Sequence, residues 1–453
     1  METSLFIQYV DKYFKQVIGK ITETFNGSKT EPTMLYKSML AEEYSPDLTW
    51  GSTELKHSVV AADVVALDSP LPLKSRGSVQ QASGTLPKLG VKYRKSEKDI
   101  SDINVMRARG VDEATIVAKV FDDTPKVAKS MDVRKEIMFE QGLSTGITLV
   151  ADDEANTGTG IRVQFGYKDE NTFHALTAPW GETGYNPIDD LEQMFDKATS
   201  DSNAINIVMI SKRYFNLIRS STAGKKLVAD FKGQVYTSTD LIPQPSRQAM
   251  LDALSDEFGA EFRIVANSFR VEKRDGSLMS VTPWVEANVI GIPEVTVGRL
   301  VYGTLAEETN PVADVAYQKL GSHTLISKYS KTDPLEEFTA GQALCLPVID
   351  GADSIYILHA DGTGVISTDV TSLEFTKAAN TTGKRVTVHS DYPFTAAVPV
   401  AASWVTLSTS GNVVTVKVSA NSASSAPERT TTLTITDTEG NTAEVSITQA
   451  ANT

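Results

Sequence analysis

The stretch that decides the fold is Glu136-Ile137-Met138-Phe139-Glu140-Gln141-Gly142-Leu143-Ser144-Thr145-Gly146, followed at once by the β-like run Ile147 to Val150. Upstream of it Thr124 offers a helix cap, Pro125 occupies the first turn, and Val127, Met131, Arg134 and Met138 recur on one helical face. The spacing predicts a long helix that ends at a pair of glycines and hands over to a strand. Gly142-Leu143-Ser144-Thr145-Gly146 also spells the G-x-S-x-G of a nucleophile elbow, with His174, His323, His359 and His389 downstream. An elbow needs a strand before its serine and a helix after it. Here the order is reversed, so no catalytic residue is assigned and the chain is read as a non-enzyme.

Working back toward the N-terminus, Leu5, Tyr9, Phe14, Val17, Ile18, Ile21 and Phe25 fall near helical spacing. Two readings of that apolar face stand: an arm laid on something else, or a helix packed on its own domain. From Tyr44 to Asp99 short β-like runs are broken by Pro70, Pro72, Gly77, Gly84, Pro87 and Gly90, a text that cannot bury a core alone. It reads as a long extended loop with a polar tip at Ser75 to Thr85. Lys74, Lys88 and Lys92 near it suit surface solubility, or pairing with acidic groups of a neighbouring subunit.

Downstream, residues 186 to 303 alternate helix and strand signals. Asn186-Pro187 opens a helix carrying Ile188, Leu191, Met194 and Phe195, Ile205 to Ile210 is a buried strand, and Ser211 caps a helix with Tyr214, Phe215 and Ile218. Gln248 to Phe258 is a further helix ended by Gly259, and Asp275-Gly276 marks a hairpin. After Leu344 the composition shifts to Ser, Thr, Val and Ala. Val386/Val388, Val414/Val416/Val418, Leu433/Ile435 and Val445/Ile447 alternate with polar residues, with turns near Gly383, Gly411-Asn412 and Gly440-Asn441. That pattern predicts a separate all-β sandwich.

Composition narrows the function. The 453 residues carry 57 acidic against 43 basic side chains, a formal net charge of -14, which argues against a protein built to grip phosphate backbones. The same sign suits the inner wall of a DNA container. A single cysteine, Cys345, flanked by Leu344 and Leu346, excludes disulfides within the chain and multi-cysteine metal clusters and reads as a buried structural thiol. The scattered histidines form no ligand pair. Gly158-Thr159-Gly160 lacks the third glycine of a dinucleotide fingerprint, which is Val163 here, so no cofactor and no metal is expected. The acidic pairs Asp152-Asp153 and Asp189-Asp190 read as solvated or helix-start carboxylates, with a calcium loop as the alternative. No run approaches the roughly 18 apolar residues of a membrane helix, and Met1 to Phe6 lacks a secretory pattern, so synthesis in a cytoplasm is expected.

Taken in order, helix, loop, long helix ending in Gly142 to Gly146, the strand-then-helix element Asn206 to Phe215 and the returning run Trp284 to Gly303 resemble the tailed-phage coat proteins of Hong Kong 97-like fold. The phage major capsid protein E family is the nearest likeness. The resemblance implies an α+β fold with an N-terminal arm (1–43), extended loop (44–100), spine helix and peripheral domain (101–185), axial domain (186–303), a return to the peripheral domain (304–345) and linker strands (346–371). The tail, 372–453, resembles bacterial immunoglobulin-like modules, and Trp404 to Ser408 with Glu444 to Gln449 is similar to a Bacteroidetes-associated carbohydrate-binding (BACON) domain. Trp404 is its candidate glycan contact, the other reading being a core tryptophan of the sandwich.

For function the resemblance implies a major capsid protein, a virion component assembled in the host bacterial cytoplasm. Its partners would be itself in hexamers and pentamers, portal, separate scaffolding and head decoration proteins, DNA held without sequence-specific binding, and glycans through the tail, with no membrane. An encapsulin-like compartment holding protein cargo and a secreted carbohydrate-binding adhesin are the alternatives.

Overall fold

The computed structural model describes residues 2–27, 34–51, 83–150, 161–236, 241–273, 275–362, 366–368, 370–390, 394–411, 413–422, 426–437 and 442–452. The chain divides into two compact units. One comprises Met1–Tyr167, Lys197–Lys212 and Gly259–Ile355, the other Lys168–Asp196, Arg213–Phe258 and Tyr356–Thr453.

The first unit is organised around the 14-residue strand Glu336–Ile349. Its first half pairs with Thr324–Lys331 and with Lys88–Lys95, and its second half with Gly298–Gly303. Leu40–Tyr44 then adds in parallel to Gly298–Gly303, and Ala316–Leu320 adds to Thr324–Lys331. The long helix Thr124–Thr145 packs against this central strand. Asp123, not Thr124, holds the cap position, and it makes no capping bond: its carboxylate is drawn instead to Lys95 at 3.0 Å and Lys126 at 2.8 Å. At the other end Gly146 adopts φ 74° and its N–H reaches the Gly142 carbonyl at 2.8 Å. A side chain there would be strained in its backbone and would stand 2.8 Å from the Tyr167 ring.

The N-terminal helix, Ile7–Gly27, settles between the two readings of its apolar face. Phe6, Tyr9, Val10, Phe14, Ile18 and Ile21 are buried against Ile100, Ile103, Ile116, Val120, Phe121 and Val127 of the same unit. Phe14 and Phe121 stack at 5.8 Å, Lys12 reaches Glu113 at 3.0 Å, and the Glu337 carboxylate accepts from the Ser4 hydroxyl and, at 3.0 Å, from the Leu5 N–H. The burial agrees with the second reading, a helix packed on its own domain, since the helices Glu97–Ala108 and Glu113–Val120 supply an apolar groove that it fills.

Of the extended loop, Thr49–Gly51 and Ser83–Thr85 form a short antiparallel ribbon, with Gly51 opposite Ser83. The expected tip up to residue 82, with Lys74, lies outside the described residues, as do His57, Asp152-Asp153 and Gly158 to Gly160. Lys88 and Lys92 lie on the strand Lys88–Lys95, where the Lys92 ammonium sits 4.7 Å over the Phe338 ring. Elsewhere in the unit the fully buried strand Ile207–Ser211 runs parallel to Glu261–Val265 and antiparallel to Asn288–Ile292. Phe269–Glu272 and Leu278–Val281 form the hairpin expected around Asp275-Gly276.

Residues 346–371, read as linker strands, contain more than a linker. Leu346, Val348 and Ile349 complete the central strand without exposure, and Tyr356–His359 is a wholly buried strand. The change of composition after Leu344 precedes the break between the two units, which falls after Ile355.

In the second unit Asn186 Oδ1 accepts the Ile188 N–H at 3.2 Å and opens the helix Pro187–Ser200. Lys212–Ser220, Thr222–Phe231 and Arg247–Phe258 follow, and Thr172–His174 pairs in parallel with Tyr356–His359. The tail is a sandwich of two four-stranded sheets. One runs Ser367–Thr368, Asn380–His389, Val413–Val418, Val405–Ser410, and the other Ser372–Phe375, Thr442–Gln449, Arg429–Asp437, Phe394–Ala397. Val386, Val388, Val414, Val416, Val418, Leu433, Ile435, Val445 and Ile447 all point into one core, as their alternation predicts. Gly383 differs from expectation: it is no turn but an irregularity inside the strand Asn380–His389, at φ 87°.

Candidate functional site

The long helix carries an unusual load of charge into the interior. Asp132, Lys135, Glu136, Glu140 and Ser144 are all buried, and each is matched to a remote segment. Asp132 accepts from the Tyr36 hydroxyl at 2.8 Å and from Lys37 at 2.7 Å, and pairs with Lys135 at 2.9 Å. Burial alone would raise its carboxyl, yet Lys135 and Lys37 together hold it below the usual range. Lys135 also donates to His323 Nε2 at 2.7 Å. An ammonium has no lone pair to offer, so Nε2 is the acceptor and the ring proton sits on Nδ1, 3.8 Å from Glu42. Burial, with Lys135 beside it, depresses His323 to about 3, keeping the ring neutral.

One turn on, Glu136 accepts the N–H groups of Leu35 and Tyr36 at 2.6 and 2.9 Å, and Glu140 accepts from Asn267 at 2.5 Å. Burial and mutual repulsion push Glu136 well above the carboxylate range, and burial raises Glu140. The two side chains sit a helical turn apart, and the neighbouring Glu140 charge adds to the burial that favours the protonated form of Glu136.

Ser144 belongs to the same surface. Its hydroxyl donates to the Gln141 carbonyl at 3.2 Å and accepts the Val285 N–H at 3.3 Å, while Asn288 donates to its carbonyl at 2.7 Å. A fully buried serine that ends a helix and fastens the 285–288 segment is a packing element. Cys345 is equally enclosed, and burial pushes its thiol up to about 11. Asp189 and Asp190 stand in the first turn of the helix Pro187–Ser200, as helix-start carboxylates, but Asp190 is not solvated. It is buried, accepts the Leu176 N–H at 2.7 Å and the Trp180 indole N–H at 2.6 Å, and is raised by burial. Among the described residues no three His, Cys, Asp or Glu side chains group as a metal site would require.

A second cluster holds the root of the extended loop. Arg299 grips Asp350 with two bonds of 2.7 and 3.0 Å, Glu43 at 2.5 Å and the Gly51 carbonyl at 2.7 Å. Sequence reading passed over this arginine within Gly298 to Gly303, because nothing local distinguishes it from a surface charge.

In the tail, Trp404 is half-buried against the sandwich core, and the Arg429 guanidinium lies 4.4 Å over its ring. Arg429 is held in turn by Gln449 Oε1 at 2.9 Å and the Ser419 carbonyl at 2.8 Å. Gln449, fully buried, donates to the carbonyls of Thr376 at 3.1 Å and Ser419 at 3.0 Å. The candidate glycan tryptophan is therefore clamped on one face.

The solved structures that resemble the chain include a protein of an Escherichia coli CFT073 prophage assigned as its capsid protein, at 11% identity and TM-score 0.46, over 79% of this chain and 99% of that one. A phage-related protein from Bordetella bronchiseptica RB50 is similar at 13% identity and TM-score 0.42, over 76% and 97%. The mature capsid of bacteriophage PhiM1 is similar at 12% identity and TM-score 0.38, over 74% and 89%. No curated protein matches the sequence. A BACON binding-domain model matches residues 394–450, within the sandwich. The model for phage major capsid protein E matches residues 19–359, well over half the sequence, and the chain belongs to that family.

Proposed function

We propose that this phage capsid protein assembles into the hexamers and pentamers of an icosahedral head that encloses double-stranded DNA. The family match over residues 19–359 carries the reading, and a net charge of -14 supports a wall that does not trap the packed polymer. The extended loop would overlap a neighbouring subunit. The long helix would act as the beam of the protomer, and the 186–303 region would gather around the local axis. Portal, scaffolding and decoration proteins would join it in the host cytoplasm. Function would reside in subunit contacts, with no reaction catalysed.

The sandwich would face outward, where repetition over the shell makes weak single sites effective on a glycan-rich surface. Its separate core, drawn from Ile366 onward, supports a module that adds to the shell without building it. With Arg429 fixed over one face of Trp404, glycan contact through this residue would use only the ring edge or require the arginine to swing away.

The test is negative-stain microscopy of the full chain co-expressed with its neighbouring head-assembly genes. Closed shells protecting DNA from nuclease are expected. Shells filled with protein would favour a compartment, and a solitary protomer at high concentration would overturn the assembly reading. Deleting residues 372–453 is expected to leave shell formation intact.

A further inference from the structure

We propose that Arg299 is the positioning residue that fixes how the extended loop leaves the body of the subunit. Its guanidinium joins three separated pieces of chain. Glu43 belongs to the strand Leu40–Tyr44 that precedes the loop, Gly51 is the last described residue before residues 52–82, and Asp350 follows the central strand. Four of the five guanidinium hydrogens are used: Nε and one on Nη2 on Asp350, the other on Nη2 on the Gly51 carbonyl, and one on Nη1 on Glu43.

The geometry specifies an arginine. A two-point grip on Asp350 fixes the plane of the guanidinium, and that plane determines where the Gly51 carbonyl must lie. A lysine would supply the charge without the plane. The arginine side chain is three-quarters buried and Asp350 nine-tenths, so the grip is shielded from water and salt in a way that an exposed pair is not. Asp350 and Glu43 both strengthen the guanidinium's hold on its protons, so the charge persists at any pH the particle meets. The ribbon that ends at Gly51 and Ser83 has only three residues on each side, too short to set its own direction. Its direction is therefore borrowed from Arg299.

The inference rests on the reading that the loop overlaps a neighbour, and its test separates the two. The full chain is co-expressed as above in four versions: Arg299→Ala, Arg299→Lys, Glu43→Gln, and a loop-less chain in which two glycines join Gly51 to Ser83. Circular dichroism melting and the diameters of closed shells are both recorded. For Arg299→Ala the expected result is a chain that still folds but melts lower, since Asp350 loses its counter-charge, with an about ten-fold fall in the yield of uniform closed shells. Arg299→Lys should fall between it and the native chain, and Glu43→Gln should show a smaller loss. Arg299→Ala shells of native yield and diameter would overturn the proposal. If that variant fails to fold, native behaviour of both Arg299→Lys and Glu43→Gln would do the same. Normal shells from the loop-less chain would instead overturn the overlap reading, whatever the arginine variants do.

Discussion

The long helix and the tail sandwich solve the same problem of burial in opposite ways. Leu433, Ile435, Val445 and Ile447 fill the sandwich with apolar side chains on a period of two, and the polar Gln449 is admitted only at the end of its strand. The helix instead threads Asp132, Lys135, Glu136 and Glu140 through the interior, each bonded to a segment about 100 or more residues away in sequence. An apolar core is tolerant, because area removed from water is non-directional. A buried charge network is not, because losing one partner strands another in a medium that cannot solvate it. The helix thereby dictates which segments meet, and the sandwich dictates only that its sheets close.

The largest expected effect follows from breaking that network. Lys135→Ala leaves Asp132 short of one counter-charge and His323 Nε2 without its donor, at a cost of about 3–5 kcal/mol. Ile447→Ala in the sandwich should cost about 2–5 kcal/mol. The two should differ in reach. Differential scanning calorimetry is expected to show Ile447→Ala shifting only the transition of the tail, and Lys135→Ala only the rest. A single transition moved equally by both would mean that the two cores are energetically one.

The comparison also explains what was legible in advance. Alternation at Val386/Val388 and Val414/Val416/Val418 reveals a strand without any knowledge of its partners, so the sandwich could be read directly. The start and end of the long helix, with Pro125 and Gly146, were equally open to reading. Its function in the core was not. Lys135 and Glu140 look like solvent-facing residues until Tyr36, Asn267 and His323 are placed beside them, and no local pattern announces contacts of that range. The same holds for Arg299, whose partners Glu43, Gly51 and Asp350 converge only in the folded chain. The N-terminal helix shows the complementary limit: its amphipathic face was plain, but whether its cover came from its own unit or another could not be decided from spacing.

The carboxyl pair sharpens the contrast through pH. Glu136 binds its proton more tightly folded than unfolded, so its contribution to stability is complete below the ordinary carboxylate range and is lost as pH rises through and beyond neutrality. For one proton the slope is up to about 1.4 kcal/mol per pH unit. Glu136→Gln keeps one acceptor oxygen, loses the other of the two that serve the Leu35 and Tyr36 N–H groups, and cannot ionise, so it should be less stable at low pH while its melting temperature falls less than that of the native chain between about pH 5 and 8. Parallel pH profiles would show that Glu136 is not held protonated by the fold.

Gly383 probes the tolerance of the apolar core at the irregularity within the strand Asn380–His389. At φ 87° an alanine would be strained, and its Cβ would fall 2.4 Å from the Thr415 methyl carbon. Gly383→Ala should therefore cost more than about 1 kcal/mol, read as a lower melting temperature of the tail alone. An unchanged tail would show that the strand can shed the irregularity and re-register.

The smallest effect is expected at Arg429. Its guanidinium lies over the Trp404 ring and is partly exposed, so removing it forfeits a cation–π contact of about 0.5–1 kcal/mol and two hydrogen bonds that water can replace. Arg429→Ala should leave the sandwich folded while opening one face of Trp404, visible as a red-shifted indole emission. If the tail engages sugars through that face, the variant should bind mucin-type glycans more tightly than the native chain, because the clamp no longer competes. Weaker binding would instead assign the guanidinium itself to the contact. A binding curve identical to the native one, with the emission shifted, would remove Trp404 from recognition and leave it as a side chain packed against the sandwich core.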